Sequence, residues 1–452
     1  MALARFGTDG VRGVANADLT PELAVALGRA AARVLGDREF LVARDTRRSG
    51  PLLQSAVSAG LAAEGADVVD LGVLPTPGLA LVSAVRGVPG VMVSASHNPF
   101  EDNGIKLFGP GGMKLTAEVE SAVEQAMEQV ETAGPSDPSA RVGADVGWIA
   151  ADPTGAETYH KHLGSAIGDR RIEGMKIVLD CANGAAAGLA PQVFAEAGAS
   201  VTTIACDPDG ANINAGCGST HPEDLAAAVV SSGADLGLAF DGDADRLVAV
   251  DHTGGIADGD VLLALFAVDL AQRGELVGGT VVVTVMTNLG FRRAMEEKGI
   301  GVRETPVGDR HVLEALDAEG LVLGGEQSGH IIFRNLATTG DGILTGLLLA
   351  DVIVRSRSSL ASLSTGLIVR LPQVVENVAV EDPRRLAGAT GVWETVAAVQ
   401  EELGASGRVL LRPSGTEPLV RIMVEAVSED QAARAVGRLY RAVEGALGPV
   451  PG

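Results

Sequence analysis

Asp241, Asp243 and Asp245 stand at alternate positions in Asp-Gly-Asp-Ala-Asp, and Arg246 follows directly. Three carboxylates this close repel one another unless a cation or arginines neutralise them. The small residues between them let the loop curl so that all three point inward, and hard oxygen ligands of this kind suit Mg2+ or Ca2+. A calcium-sensor loop needs Gly at its sixth position and Glu at its twelfth. Arg246 and His252 occupy those positions here, so that reading fails. Three carboxylates leave coordination open for a substrate or enzyme phosphate, which is how a catalytic Mg2+ is used. The bland alternative is a solvated acidic loop, and the apolar runs on both sides weigh against it.

Ser94-Ala-Ser96-His97-Asn98-Pro99 follows the apolar run Val91-Met92-Val93. A hydroxyl beside an imidazole, on a tight turn after a buried strand, is a candidate nucleophile. The Gly-x-Ser-x-Gly elbow of a hydrolase is missing, and Ser and Asn before Pro also describe an ordinary turn. Just downstream, Lys106 in Asn103-Gly104-Ile105-Lys106 places an amine that could serve as acid or base. Gly325-Glu326-Gln327-Ser328-Gly329-His330 offers a carboxylate, a hydroxyl and an imidazole suited to sugar hydroxyls. Arg412-Pro413-Ser414-Gly415-Thr416-Glu417, with Arg421, reads as an anion cradle of guanidinium fork, hydroxyls and loop amides. There is no Gly-x-x-x-x-Gly-Lys-Ser/Thr to recommend a nucleoside triphosphate site. His160 and His162 read as residues of a surface helix rather than a metal pair.

The elements that must carry these loops repeat. Three segments open with a short apolar run, at Phe40, Lys176 and Thr280. Each continues through a helical stretch to a Gly-initiated second strand, at Gly65, Gly198 and Gly299. A third apolar run then stops in the serine loop, the aspartate loop or the Glu326 loop. Short β-branched runs bounded by Gly and alternating with helices indicate α/β architecture. In such sheets chemistry collects beyond the carboxyl ends of strands, so three polar loops in the same place favour one shared site. From about Leu367 the pattern changes to a smaller α+β domain, with a helix near Trp393 to Leu403. Linkers are expected at Thr132 to Arg141 and around Ser356 to Gly366. Near the amino terminus, Thr20-Pro21-Glu22 predicts a helix start and Gly36 its stop.

Composition narrows the partners. A chain of 452 residues suggests three or four domains. The 46% hydrophobic content argues against disorder. A net charge of −23 with only 3% aromatic residues makes nucleic acid a poor partner. Cys181, Cys206 and Cys217 are odd in number and irregularly spaced, as expected of reduced thiols in a cytoplasmic protein. No apolar signal segment is visible at the amino terminus. The apolar run Ile343 to Val354 contains Asp351 and is too short to span a bilayer. A soluble, cytoplasmic protein with no membrane partner is expected.

With these residues together, the chain resembles the α-D-phosphohexomutases over essentially its whole length. Five motifs stand in the family's order: Phe6-Gly-Thr-Asp-Gly-Val-Arg12-Gly, the Ser96 run, the Asp241 run, Gly-Glu326-Gln-Ser-Gly-His330, and Arg412-Pro-Ser-Gly-Thr-Glu-Pro. The resemblance implies four domains around a central cleft, α/β at 1–151, 152–252 and 253–366 and α+β at 367–452. It implies that Ser96 is a phosphoserine and that Ser96, Asp241, Asp243 and Asp245 hold one Mg2+. Arg12, His97 and Lys106 match positions near the transferred phosphoryl group. Arg246, Gly308, Asp309 and Arg310 match sugar-side or phosphate-side contacts, and Glu326, Ser328 and His330 belong to the sugar-reading loop. Arg412, Ser414, Gly415, Thr416 and Arg421 match the site of the distal phosphate. Arg-Pro-Ser-Gly-Thr-Glu-Pro, Val-Gly-Asp-Arg and Cys217-Gly-Ser-Thr-His look like the bacterial branch that interconverts glucosamine 6-phosphate and glucosamine 1-phosphate, activated by a 1,6-bisphosphate. His311 departs from the aromatic residue expected beside Arg310. The alternatives are a mutase for glucose or mannose phosphates and a phosphosugar-binding protein without turnover. A homodimer is one assembly open to it.

Overall fold

A computed structural model of the chain describes residues 10–133, 141–414 and 418–448. Its contacts divide it into two units: Met1–Met286 with Ile300–Thr365, and Thr287–Gly299 with Gly366–Gly452.

The first unit holds three sheets built on one plan. In the first, strand Glu39–Arg44 lies between Asp67–Val73 and Gly90–Val93 and runs parallel to both; Asp102–Phe108 returns antiparallel beside Gly90–Val93. In the second, Lys176–Asp180 lies between Ser200–Ile204 and Leu236–Phe240, with Leu247–Asp251 returning. In the third, Thr280–Thr284 lies between Gly301–Thr305 and Leu323–Gly325, with Ile331–Phe333 returning. The strands Gly90–Val93, Leu236–Phe240 and Leu323–Gly325 are buried at every residue, which explains their unbroken apolar character. Their carboxyl ends deliver the serine, aspartate and Glu326 loops.

The parallel strands match the expected repeat, whereas the antiparallel return strand goes beyond it. Asp102–Phe108 carries Asn103 and Lys106, both buried, so its polar residues hide a strand that is covered on both faces. Helix Pro21–Leu35 forms as expected. The Thr20 hydroxyl accepts the Leu23 N–H at 3.3 Å, Pro21 opens the first turn, and Gly36 closes the helix in the left-handed region.

In the second unit, strands Gln373–Ala379, Leu419–Glu425 and Arg408–Pro413 form an antiparallel sheet with Leu419–Glu425 in the centre. Helices Thr390–Leu403 and Glu429–Leu447 contribute to its core. Helix Leu289–Glu297, which lies among the repeats in sequence, is grouped here. The Leu289 N–H donates to the Glu425 carboxylate at 3.0 Å, and Asn288 Nδ2 donates to the Leu371 carbonyl at 3.0 Å. Ile343 to Val354 lies within helix Gly342–Ser356, which is largely buried. Among the described residues no helix is long and apolar enough to cross a membrane.

Candidate active site

The serine loop begins where Gly90–Val93 ends. Ser96 adopts φ +53°, a left-handed conformation that costs a non-glycine residue energy and is common at functional sites. Its side chain is 1% exposed, and its hydroxyl donates to Asp241 Oδ2 at 2.6 Å. The Ser96 hydroxyl oxygen also lies 3.3 Å from His97 Nδ1. What holds the loop is a residue that the motif reading missed. Arg47 is fully buried and paired with Asp45, Nε to Oδ2, at 2.9 Å. Its guanidinium donates to the carbonyls of Ser96 at 2.9 Å, Asn98 at 2.8 Å and Asp102 at 3.0 Å, and also to that of Pro99. Asp45 in turn accepts from the Ser94 hydroxyl at 2.7 Å. The only local signal was a charged pair after the strand at Phe40, because the carbonyls it serves are some fifty positions downstream.

The aspartate loop begins where Leu236–Phe240 ends. Asp241 and Asp243 are fully buried and Asp245 is 5% exposed. Ligand atoms from the three lie within 4.8 Å of one another, the one such group among the described residues. Thr76 Oγ1 donates to Asp243 Oδ2 at 2.7 Å, and Lys106 Nζ donates to the same oxygen at 2.9 Å. Asp243 Oδ1 and Asp245 Oδ1 are buried and accept no hydrogen bond. Burial, and then the charges of Asp245 and Asp243, push the Asp241 carboxyl well above its ordinary range. Buried, mutually repelling carboxylates with lone pairs to spare fit a hard divalent cation. The loop is seated by backbone contact. A Cβ on Gly184 would lie 2.4 Å from the Gly242 carbonyl, so the two segments meet only because Gly184 has no side chain.

Around this centre, Arg12 lies on strand Val11–Val14 opposite Gly104. A Cβ on Gly104 would come within 3.1 Å of the Arg12 side chain, so this glycine makes room for it. Burial, with the cations of Arg246 and Arg12, lowers His97 to about 4. The Arg246 N–H donates to Asp241 Oδ1 at 3.2 Å, and its Nε lies 3.8 Å from Asp245 Oδ1. In the third loop, Glu326 Oε1 accepts the Gly308 N–H at 3.0 Å. His330 is buried, and its Nε2 accepts the Gly340 N–H at 2.9 Å, which leaves the proton on Nδ1, 3.6 Å from Asp245 Oδ2. Ser328 lies in the same loop. Asp309 pairs with Lys114, and Arg310 with Glu120 at 2.5 Å, so both side chains are engaged by the first repeat. The structure therefore brings together Ser96, His97, Lys106, Arg246, His330 and the three aspartates.

The second unit carries the remaining expected residues. Arg412 and Arg421 stand opposite each other on adjacent antiparallel strands. Like charges so placed repel, and burial followed by the Arg421 charge lowers the Arg412 pKa. An anion between them would relieve that repulsion. Ser414 follows Arg408–Pro413 directly, and its N–H donates to the Leu419 carbonyl at 2.9 Å. Gly415 and Thr416 lie outside the described residues, as do Phe6 to Asp9 of the first motif. His160 sits in helix Thr154–Ser165 beside Glu196 at 3.2 Å, apart from any metal cluster among the described residues.

The chain is similar to known proteins over nearly its whole length. Residues 4–134, 157–255 and 258–370 match the phosphoglucomutase/phosphomannomutase alpha/beta/alpha domains I, II and III, and residues 376–442 match the C-terminal domain of that family. A phosphoglucosamine mutase of Streptomyces avermitilis is 52% identical over 452 residues, covering 98% of this chain and 99% of the relative. Another, from Mycobacterium sp. (strain KMS), is 52% identical over 445 residues, covering 97% and 98%. A phosphoglucomutase/phosphomannomutase family protein of Burkholderia thailandensis superposes with a TM-score of 0.81 at 27% identity, covering 99% of this chain and 98% of that one.

Proposed function

The chain belongs to the phosphoglucomutase/phosphomannomutase family, and from that premise we propose that it interconverts glucosamine 6-phosphate and glucosamine 1-phosphate through a phosphoserine at Ser96. The observation that carries the chemistry is the buried Ser96 hydroxyl aimed at Asp241 across 2.6 Å. The sugar specificity draws its support from the relatives that are identical at about half of all positions.

Ser96, Asp241, Asp243 and Asp245 would hold one Mg2+, which when bound supplies positive charge to offset that of a transferring phosphoryl group. Phosphorylated Ser96 gives its phosphoryl group to the C1 hydroxyl of glucosamine 6-phosphate. The bond from phosphorus to the serine oxygen breaks, a bond to O1 forms, and the hydroxyl proton passes to the serine oxygen by way of a base. His97, 3.3 Å from that oxygen, and Lys106, held on Asp243, are the groups placed for this transfer. The 1,6-bisphosphate turns over, its 6-phosphoryl group returns to Ser96, and glucosamine 1-phosphate leaves. The same bisphosphate primes unphosphorylated enzyme.

Glu326, Ser328 and His330 read the sugar hydroxyls, and Gly308, Asp309 and Arg310 bind sugar or phosphate once Asp309 and Arg310 leave Lys114 and Glu120. Arg12 and Arg246 add charge at the reacting phosphoryl group, while Arg412, Ser414, Gly415, Thr416 and Arg421 bind the other phosphate. A cytoplasmic setting completes the reading. The test is turnover of glucosamine, glucose and mannose 6-phosphates with Mg2+ and a bisphosphate primer. Glucosamine 6-phosphate should show the highest kcat/KM; a preference for mannose 6-phosphate of about tenfold would overturn the sugar assignment and leave the family intact.

A further inference from the structure

Cys181 and Cys206 follow neighbouring parallel strands. Lys176–Asp180 and Ser200–Ile204 end in the register pair Asp180 and Ile204. The Cys181 N–H donates to the Ile204 carbonyl at 3.3 Å, and the Asn183 N–H to that of Ala205 at 2.6 Å. The two thiols are neighbours, and the Cys206 thiol donates to the Ala187 carbonyl at 3.6 Å. Cys181 is buried and Cys206 is half-buried, so the pair is reached from the Cys206 side. The backbone between and beside them is strained: Ala182, Asn183 and Ala205 adopt φ values of +52°, +48° and +43°.

The residues after Cys181 touch both halves of the reacting centre. Ala182 accepts the Asn214 N–H at 2.9 Å, and Asn214 Nδ2 donates to the carbonyls of Ser96 at 2.9 Å and Asn98 at 3.0 Å. Asn183 accepts from Thr46 Oγ1 at 2.6 Å, next to Arg47. Gly184 abuts Gly242, and the Ala185 N–H donates to the Gly242 carbonyl at 2.8 Å. A small shift at Cys181 therefore reaches the serine loop and the aspartate loop together.

We propose that Cys181 and Cys206 are an oxidation site, converted by a peroxide to a disulfide that reversibly slows phosphoryl transfer. The effect on turnover rests on the reading of Ser96 and the aspartates as the reacting centre. The Cys206 thiolate attacks one oxygen of hydrogen peroxide; an S–O bond forms, the O–O bond breaks, and hydroxide leaves to become water. The Cys181 sulfur then attacks the sulfenic sulfur. The S–S bond forms, the S–O bond breaks, and the thiol proton departs with the hydroxide as water. The two thiols lose two electrons and two protons, and the peroxide becomes two waters. A dithiol reverses the bond. The neighbouring Cys181 thiol brings Cys206 down to about 7, which supplies thiolate near neutral pH. An S–S bond is about 2.05 Å long, well inside the contact distance of two thiols, so the sulfurs must close by on the order of 1 Å or more. Displacements of that size beside a catalytic centre are costly.

The experiment treats the full chain with hydrogen peroxide, maps disulfides by peptide mass spectrometry, and measures kcat and amide exchange before and after dithiothreitol. The expected result is a Cys181–Cys206 disulfide, faster exchange over 94–98 and 241–245, and a kcat lowered on the order of tenfold that dithiothreitol restores. Cys206→Ser and Cys206→Ala should match the reduced protein in activity and lose the sensitivity, while Cys217→Ser keeps it. Failure to form the disulfide, sensitivity that survives in both Cys206 variants, or a disulfide that leaves exchange and kcat unchanged would overturn the proposal. Reduced protein inactive on every sugar phosphate would instead count against the proposed function, with the disulfide and the exchange response still measurable.

Discussion

The serine loop and the aspartate loop occupy the same place in two copies of one topology, each beyond the third parallel strand, yet they are held in different ways. The serine loop is held by side chains: the buried cation Arg47 collects the carbonyls of Ser96, Asn98, Pro99 and Asp102, Asp45 neutralises it, and the Asn214 amide donates to the Ser96 and Asn98 carbonyls as well. The aspartate loop is seated by close backbone packing against Gly184 and by hydroxyl and amine donors from the first repeat. Two of its carboxylate oxygens remain without hydrogen bonds. The difference follows from the tasks proposed. A covalent carrier needs its backbone fixed and one oxygen presented, so the carbonyls of Ser96, Asn98 and Pro99 are tied back. A cation site needs lone pairs, so its side chains are left short of partners and the backbone does the holding.

The comparison is broken most completely at Ser96. Ser96→Ala should abolish turnover while the protein stays folded, because the hydroxyl is the proposed carrier and the change removes a single oxygen. Intact-mass spectrometry should find one labile phosphate on the active protein and none on the variant; full activity in the variant would sink the mechanism.

Next is Arg47→Met, which keeps the volume and removes the charge. It strands Asp45 in the interior and takes this donor from four carbonyls, of which only Ser96 and Asn98 keep Asn214, so unfolding free energy should fall by about 3–5 kcal/mol. Chemical denaturation measures this, and an unchanged midpoint would show that the loop does not depend on its cation. Arg47→Lys should recover part of the stability but less of kcat, since an ammonium cannot span the same set of acceptors.

Asp243→Asn sharpens the other side. It removes one charged oxygen from the proposed cation site and weakens the hold on Lys106, so Mg2+ affinity should drop by roughly one to two orders of magnitude. Calorimetric titration with Mg2+ checks it, and the thermal midpoint should move far less than in Arg47→Met.

A pH-dependent test lies beside the aspartate loop, at Asp341, whose neighbour Gly342 donates its N–H to the Ala244 carbonyl at 2.9 Å. It caps helix Gly342–Ser356, accepts the Tyr159 hydroxyl at 2.9 Å, and is fully buried. Burial raises its carboxyl from 3.8 to about 7, against the pull of the Leu344 N–H and the Tyr159 hydroxyl. Between those values the folded protein keeps a proton that the unfolded chain has released. Unfolding free energy should therefore fall as pH rises from about 4 to 7, by at most about 1.4 kcal/mol per unit, and level off above. Asp341→Asn keeps the cap and should remove this slope. Parallel stability–pH curves for the two proteins would show that the carboxyl does not titrate as described.

How much of this was legible beforehand varies with the range of the interaction. The three parallel-strand trios announced themselves through apolar runs ending in polar loops, and the Pro21–Leu35 helix through its cap and stop residues, because those signals lie within a few positions of what they specify. The aspartates were readable for the same reason: alternate spacing alone implies a shared charge problem. Only the folded chain shows that Arg47 serves carbonyls about fifty residues away, that Asn214 reaches Ser96, and that Thr76 and Lys106 meet on Asp243. It also shows that helix Leu289–Glu297, embedded among the repeats, is grouped with the C-terminal sheet through Glu425. Sequence by itself determined which residue types could carry a phosphoryl group, a cation and a sugar, since those properties belong to single side chains and near neighbours. Tertiary structure alone decided which of them meet, because partners brought together by burial leave no periodic trace in the chain.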